Sequence, residues 1–141
     1  MMSLTFDNKE NINFNSFINY VTLKLRTWIL ANVNYSEMKR WNHFFRTTDL
    51  GWPKYNGKTI VPSAQDIIAG SAYHLKYKRN QNSYTIEIDP KAKIKDTNLN
   101  YATFASLINY GNLSMPAYPI FTKAFQYADD NLPLFVKEFF G

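Results

Sequence analysis

Apolar residues in this chain recur at two periods, and the switches between them divide it into elements. Phe14, Phe17, Ile18, Val21, Leu25, Trp28 and Ile29 fall three and four residues apart, which predicts one amphipathic helix over residues 14–31. Asn13 or Asn15 is placed to cap it. Residues 1–12, MMSLTFDNKENI, carry no such stripe and read as a polar, flexible arm. Ser36 is placed to cap a second, shorter helix through Trp41, Phe44 and Phe45. Residues 47–62 contain two glycines and two prolines and read as an irregular connection. Ser63 followed by Asp66 resembles a capping box, opening a short helix through Ile67 and Ile68 that Gly70 would end.

The period then shortens to two. Tyr73, Leu75 and Tyr77 alternate with His74, Lys76 and Lys78. Tyr84, Ile86 and Ile88 alternate with Thr85, Glu87 and Asp89. With a turn at Gln81-Asn82 this predicts an antiparallel hairpin with one apolar and one polar face. Lys76 then faces Glu87, and His74 faces Asp89. AKIK at 92–95 reads as a short third strand. Helical spacing returns with Tyr101, Phe104, Ala105 and Ile108, stopping at Gly111, and again with Phe121, Ala124, Phe125 and Ala128. Asp130 or Asn131 would cap a final turn through Phe135, Val136 and Phe139, with Pro133 near its start. The expected fold is α+β: an N-terminal amphipathic helix packed on a small antiparallel sheet, with C-terminal helices, in one domain over 1–141. A lone hairpin is marginal, so it must pack on the first helix or pair with partner strands.

Composition adjusts this picture in three ways. Aromatic residues make up 17% of the 141 residues, more than one core of this size needs, and Tyr and Trp suit interfaces that are half apolar and half wet. There is no cysteine, which removes disulfides, thiolate metal sites and cysteine nucleophiles together. The first residues form no signal peptide, and no run of apolar residues reaches membrane-spanning length. The net charge of +5 permits contact with nucleic acid or an acidic surface without demanding either.

Few residues are arranged for chemistry. His43 and His74 belong to no metal-ligand spacing, and the ordinary use of His74 on a polar strand face is as a solvated or cross-strand partner. Lys76, Lys78 and Arg79 invite a nucleic-acid reading, but the facing Glu87 and Asp89 answer them within the hairpin. The acid pairs Glu87/Asp89 and Asp129/Asp130 lack the geometry that splits two carboxylate pKa values. No phosphate-binding glycine loop, nucleophile elbow or zinc-protease motif occurs. The chain is therefore expected to be neither an enzyme nor a holder of a metal or cofactor.

One stretch is unusually constrained: NYGNLSMPAYPIFTKAF, residues 109–125. Gly111 suits a helix stop in the left-handed region, and Pro116 and Pro119 fix φ near −65° on either side of Ala117-Tyr118. These residues make a stiff connector that sets the angle between two helices. Residues 104–111, FASLINYG, resemble the Tyr-Ala-x-x-Val-Glu-aromatic-Gly motif of the lambdoid tail-completion or head-to-tail joining proteins of tailed bacteriophages. Phe104 stands at the Tyr, Ala105 at the Ala, Ile108 at the Val, Tyr110 at the aromatic and Gly111 at the Gly. Pro116-Ala117-Tyr118-Pro119-Ile120 with Ala124 is similar to the Pro-Ala-x-Pro-Phe that follows in that family. The family's glutamate is Asn109 here, its Gly-Thr is Gly111-Asn112, and its upstream Thr-Gly-x-Leu-x-x-Ser survives only as Ile68 and Ser71.

What the resemblance implies is structural: a virion protein, made in the host cytoplasm, that forms a ring at the neck or the tail end and joins the head connector to the tail. Its partners would be its own copies and tail-tube or connector proteins, with passing contact to DNA in the lumen and no membrane. The contact residues expected on that reading are Tyr73, Tyr77, Tyr84, Tyr110, Gly111, Pro116, Tyr118 and Pro119. Two other classes stay open, a small basic nucleic-acid-binding protein and an enzyme with an unrecognised site.

Overall fold

The computed structural model describes residues 2–7 and 14–141. Two expectations fall partly outside that range: the cap at Asn13, and the arm beyond Asp7. In chain order the elements are β1 (Ser3–Asp7), α1 (Asn15–Ala31), α2 (Tyr35–Thr47), β2 (Lys54–Tyr55), β3 (Lys58–Thr59), α3 (Ala64–Tyr73), β4 (Leu75–Asn80), β5 (Ser83–Ile88), α4 (Tyr101–Tyr110), α5 (Ile120–Asp130) and α6 (Leu132–Phe140). This is an α+β fold, with a three-stranded antiparallel sheet in the order β1-β5-β4.

The first correction concerns the N-terminus. Residues 3–7 are not an arm but the third strand of the sheet, antiparallel to β5, with Leu4 opposite Ile86 and Phe6 opposite Tyr84. Leu4 is buried and Phe6 packs against the core, while Thr5 faces outward and its hydroxyl meets that of Thr85 at 3.0 Å. The strand expected at 92–95 is absent: that segment makes only one isolated bridge, between Lys93 and Asn100. β5 thus becomes the central strand, and it alternates between buried Tyr84, Ile86 and Ile88 and half-exposed Ser83, Thr85 and Glu87.

The β4–β5 register is as the pattern predicts, with Lys76 opposite Glu87. The ion pairs run one step off that register. Lys76 Nζ lies 3.2 Å from Asp89 and Lys78 Nζ 3.3 Å from Glu87. His74 lies outside the strand and stacks on Tyr101, with ring centroids 5.3 Å apart.

The α1 stripe buries Phe17, Ile18, Val21, Leu25 and Ile29 against the sheet and against α3 and α5. Most of the core's hydrophobic side chains join them in one contiguous cluster. α2 is capped by Asn34, whose side chain accepts from Ser36 N at 3.0 Å, so Ser36 belongs to the first turn rather than being the cap. Ser63 does cap α3, accepting from Asp66 N at 3.1 Å. Gly70 does not end α3, which runs on to Tyr73; a side-chain carbon there would stand 2.5 Å from Tyr101 Cζ, so glycine is what lets that ring lie across the helix. α6 packs back on α1 through Tyr20, Lys24 and Glu138.

The connection at 47–62 is more ordered than its composition predicts. Asn56 and Gly57 both take positive φ, 52° and 78°, and turn β2 into β3. Trp52 is buried, its Nε1 donates to Phe45 O at 2.8 Å, and its ring stacks on Phe104 at 4.9 Å. An indole that is buried and hydrogen-bonded locks this segment between α2 and α4.

Candidate functional site

The motif residues meet at the corner between α4 and α5. Gly111 ends α4 with φ 72° and ψ −171°. The positive φ is as expected, but ψ is extended rather than left-handed helical, a combination that is essentially restricted to glycine. A Cβ at this position would stand 2.6 Å from Met115 O and 2.7 Å from Ala117 N. Glycine is needed here twice, for its φ and for the close return of the backbone.

The loop that follows closes on itself. Asn112 N donates to Met115 O at 2.9 Å, and Asn112 Oδ1 accepts from the backbone N–H groups of Ser114 and Met115, both at 2.8 Å. Met115 is buried and anchors the loop, leaving Leu113 fully exposed at its tip. Tyr118 N donates to Ile108 O at 2.8 Å. The Tyr118 hydroxyl accepts from Asn34 N at 2.8 Å and donates to Asn32 O at 3.3 Å, which pins the connector to the α1–α2 junction.

Pro119 occupies the N-cap of α5 and has no side-chain acceptor to offer. Asn109, one turn back on the neighbouring helix, supplies it. Its Oδ1 accepts from the backbone N–H groups of Phe121 and Thr122, both at 3.0 Å, and its Nδ2 donates to Thr122 Oγ1 at 2.9 Å. Asn109 is 1% exposed. Two of the four N–H groups that an α-helix leaves unpaired at its start are thus satisfied across a helix pair. In the sequence Asn109 stands out only as a departure from a family motif. Its signal was its place, four residues after Ala105 on a stripe otherwise apolar.

Of the eight residues expected at contacts, Tyr110, Gly111, Pro116, Tyr118 and Pro119 come together at this corner. Tyr110 is exposed there, beside the Leu113 loop. Tyr73 and Tyr77 lie elsewhere, along the β4 edge of the sheet. Tyr73 is the last residue of α3 rather than a strand residue, and the Arg26 guanidinium sits 5.3 Å from its ring centroid. A shallow groove of about 400 Å³ runs there, lined by Leu23, Arg26, Leu75 and Tyr77 among others. Tyr84 is the clear correction. It is 1% exposed, and its hydroxyl accepts from Phe14 N at 3.0 Å, so it serves the core.

A cleft of about 760 Å³ lies between α2, β2–β3 and the start of α3, with Arg46, Asp49, Trp52, Lys54 and Ser63 in its wall. Its one carboxylate, on Asp49, accepts from Gly51 N, and its serine hydroxyl caps α3. Among the described residues no three His, Cys, Asp or Glu side chains gather as a metal ion would need. Perturbed titratable groups sit on the surface in structural roles. The Tyr20 hydroxyl, and then the Lys24 charge, hold the Glu138 carboxyl below its ordinary range. The backbone N–H of Lys91, and then Lys76, do the same for Asp89. No described helix is long and apolar enough to cross a membrane. Comparison with protein-family models, with curated proteins and with solved structures finds no match.

Proposed function

We propose that this chain is a non-enzymatic structural component of a tailed-bacteriophage virion, a ring-forming protein of the neck or tail end that joins the head connector to the tail. The observation that carries the reading is the α4–α5 corner. The residues of the two short motifs, spread over 104–120 in the sequence, form one interlocked unit there through Asn109, Gly111 and Tyr118. That unit holds outward Tyr110, at the end of α4, and Leu113, on a loop whose backbone is already fixed. A contact surface ordered before binding loses little entropy on association. Among the described residues β4 is an edge strand, which offers a second contact of a different kind, since a sheet edge can extend its ladder into a neighbour. Two unlike surfaces on one chain are what a head-to-tail contact uses, and such a contact closes into a ring when its rotation permits.

The test is the mass in solution by light scattering, for the protein alone and mixed with a tail-tube or connector protein. A multi-copy assembly that the exposed-site change Leu113→Asp disperses, while the thermal melt of the protomer is unchanged, supports the reading. A monomer at every concentration and with every such partner sinks it.

A further inference from the structure

We infer that the exposed face of α2 is a contact surface for the phosphate backbone of duplex DNA. Lys39, Arg40, His43 and Arg46 recur at helical spacing, and all four are exposed. At 1.5 Å of rise per residue, the stripe from Lys39 to Arg46 is about 10 Å long, which matches about three phosphates of one strand measured along the duplex axis. The opposite face of the same helix buries Met38, Trp41 and Phe45, so the stripe is held straight by the core.

Two features separate this surface from an ordinary solvated helix face. First, its cations form no ion pair among the described residues, although Glu37 on the same helix and Asp49 in the adjoining cleft lie near them. The three ion pairs among the described residues use Lys24, Lys76 and Lys78, and none uses Lys39, Arg40 or Arg46. The hairpin cations that first invite a nucleic-acid reading are the ones already neutralised, by Asp89 and Glu87. Second, the stripe continues into the 760 Å³ cleft, where Arg46 is joined by Lys54 and by the hydroxyl side chains of Thr47, Thr48 and Thr59, against one carboxylate, Asp49, that is engaged by Gly51 N. Lys58, on the same small hairpin, is exposed as well. Cations flanked by small hydroxyls are the groups that contact phosphate and sugar.

Between Ser36 and Thr47 the face holds no exposed apolar residue; the exposed rings of Tyr35 and Tyr55 lie outside that stretch, at the start of α2 and beside Lys54. A protein partner would need an apolar centre and would be poor in lysine, whereas surfaces for DNA are polar and positively charged. Binding through phosphates alone is independent of base sequence. The surface stands on its charge pattern; only its setting in the lumen of a ring rests on the function proposed above.

The experiment is fluorescence anisotropy with a random-sequence 30-base-pair duplex at several salt concentrations. Three to four phosphate contacts predict a loss of affinity of about 40- to 150-fold between 50 and 200 mM salt. The triple change Lys39→Gln, Arg40→Gln, Arg46→Gln should lower the slope of log K against log salt by about three and leave the thermal melt close to that of the parent. The control pair Lys76→Gln, Lys78→Gln should keep the parent slope. Absence of binding at 50 mM salt, or an unchanged slope in the triple variant, overturns the inference. So does competition by poly-glutamate that equals DNA at matched charge, which reassigns the surface to an acidic protein. The light-scattering mass of the same samples reads ring assembly separately, so either idea can fail while the other stands.

Discussion

Replacing Asn109 by Ala probes the corner at its most buried point. Three hydrogen bonds disappear, two into the backbone of α5 and one to Thr122 Oγ1. The Phe121 N–H is left buried with no intrahelical partner, because it lies in the first turn of α5. An unsatisfied buried donor costs about 1–3 kcal/mol, and loss of an N-cap alone about 1 kcal/mol. The two descriptions overlap, so the expected total is about 2–3 kcal/mol. A chain of 141 residues has an unfolding entropy near 0.3 kcal/mol/K, so the melting temperature should fall by about 7–10 °C. Urea unfolding should show the same loss as a lower midpoint at constant slope. Asn109→Asp keeps an oxygen that accepts both N–H bonds and exchanges the amide donor to Thr122 for a carboxylate that its hydroxyl can donate to, but the buried charge costs desolvation that offsets its gain at the positive end of α5, so its loss should lie between those of the parent and the alanine variant. The reasoning is refuted if Asn109→Ala melts within about 1 °C of the parent.

Gly111→Ala should be more damaging than any other single change at the corner, by about 3 kcal/mol or more in urea, because positive φ and two backbone atoms within 2.7 Å both oppose a Cβ; a parent-like midpoint would show that the loop re-routes freely. Gly70→Ala should cost about 1–3 kcal/mol by driving the Tyr101 ring off the helix, and the added change Tyr101→Ala should recover part of that loss, a coupling that a double-mutant cycle measures. Acidification should weaken the fold. Glu138 and Asp89 both have folded pKa values below their ordinary 4.5 and 3.8, so what they contribute is present above those values and is lost as pH falls through the folded ones. Glu138→Gln and Asp89→Asn together should flatten the acid limb of a stability-against-pH curve, and an unchanged limb would count against both contacts. At the alkaline end Tyr20 is raised, chiefly by the same Glu138, so the α1–α6 contact should persist past pH 10 and fail only as the phenol ionises.

The helices were legible because each presents several apolar residues to one core, and period alone places them: 14–31, 101–108 and 121–128 all read correctly to within a residue or two. β1 was not. SLTFD offers only two apolar positions, and what makes it a strand is Ile86 and Tyr84, some eighty residues away. Tyr73 reads equally well as the next step of a strand or the last of a helix, and Gly70 tips the reading towards a stop. Only the Tyr101 ring, placed by the tertiary fold, explains that glycine. The β2–β3 turn was within reach, since Asn-Gly is a strong hairpin signal, but its two-residue strands show no alternation to support it. At the corner, the glycine and the prolines announced a constrained path. The cap from Asn109 did not announce itself, because it joins two helices whose approach no local pattern specifies.

The pairing of β1 with β5 also bears on how the chain is made. Residue 7 leaves the ribosome long before residue 83, and at 5–20 residues per second the gap is about 4–15 s. During that time the first strand has no ladder to join, and the apolar face of α1 waits for α3 and then for α5. The sheet can be completed only after the hairpin exists, so closure of the N-terminal strand is a late, long-range event with a large loop to close. Slow production of residues 8–88 would prolong the exposure of Leu4 and Phe6, and the α1 stripe would stay partly uncovered until α5 follows.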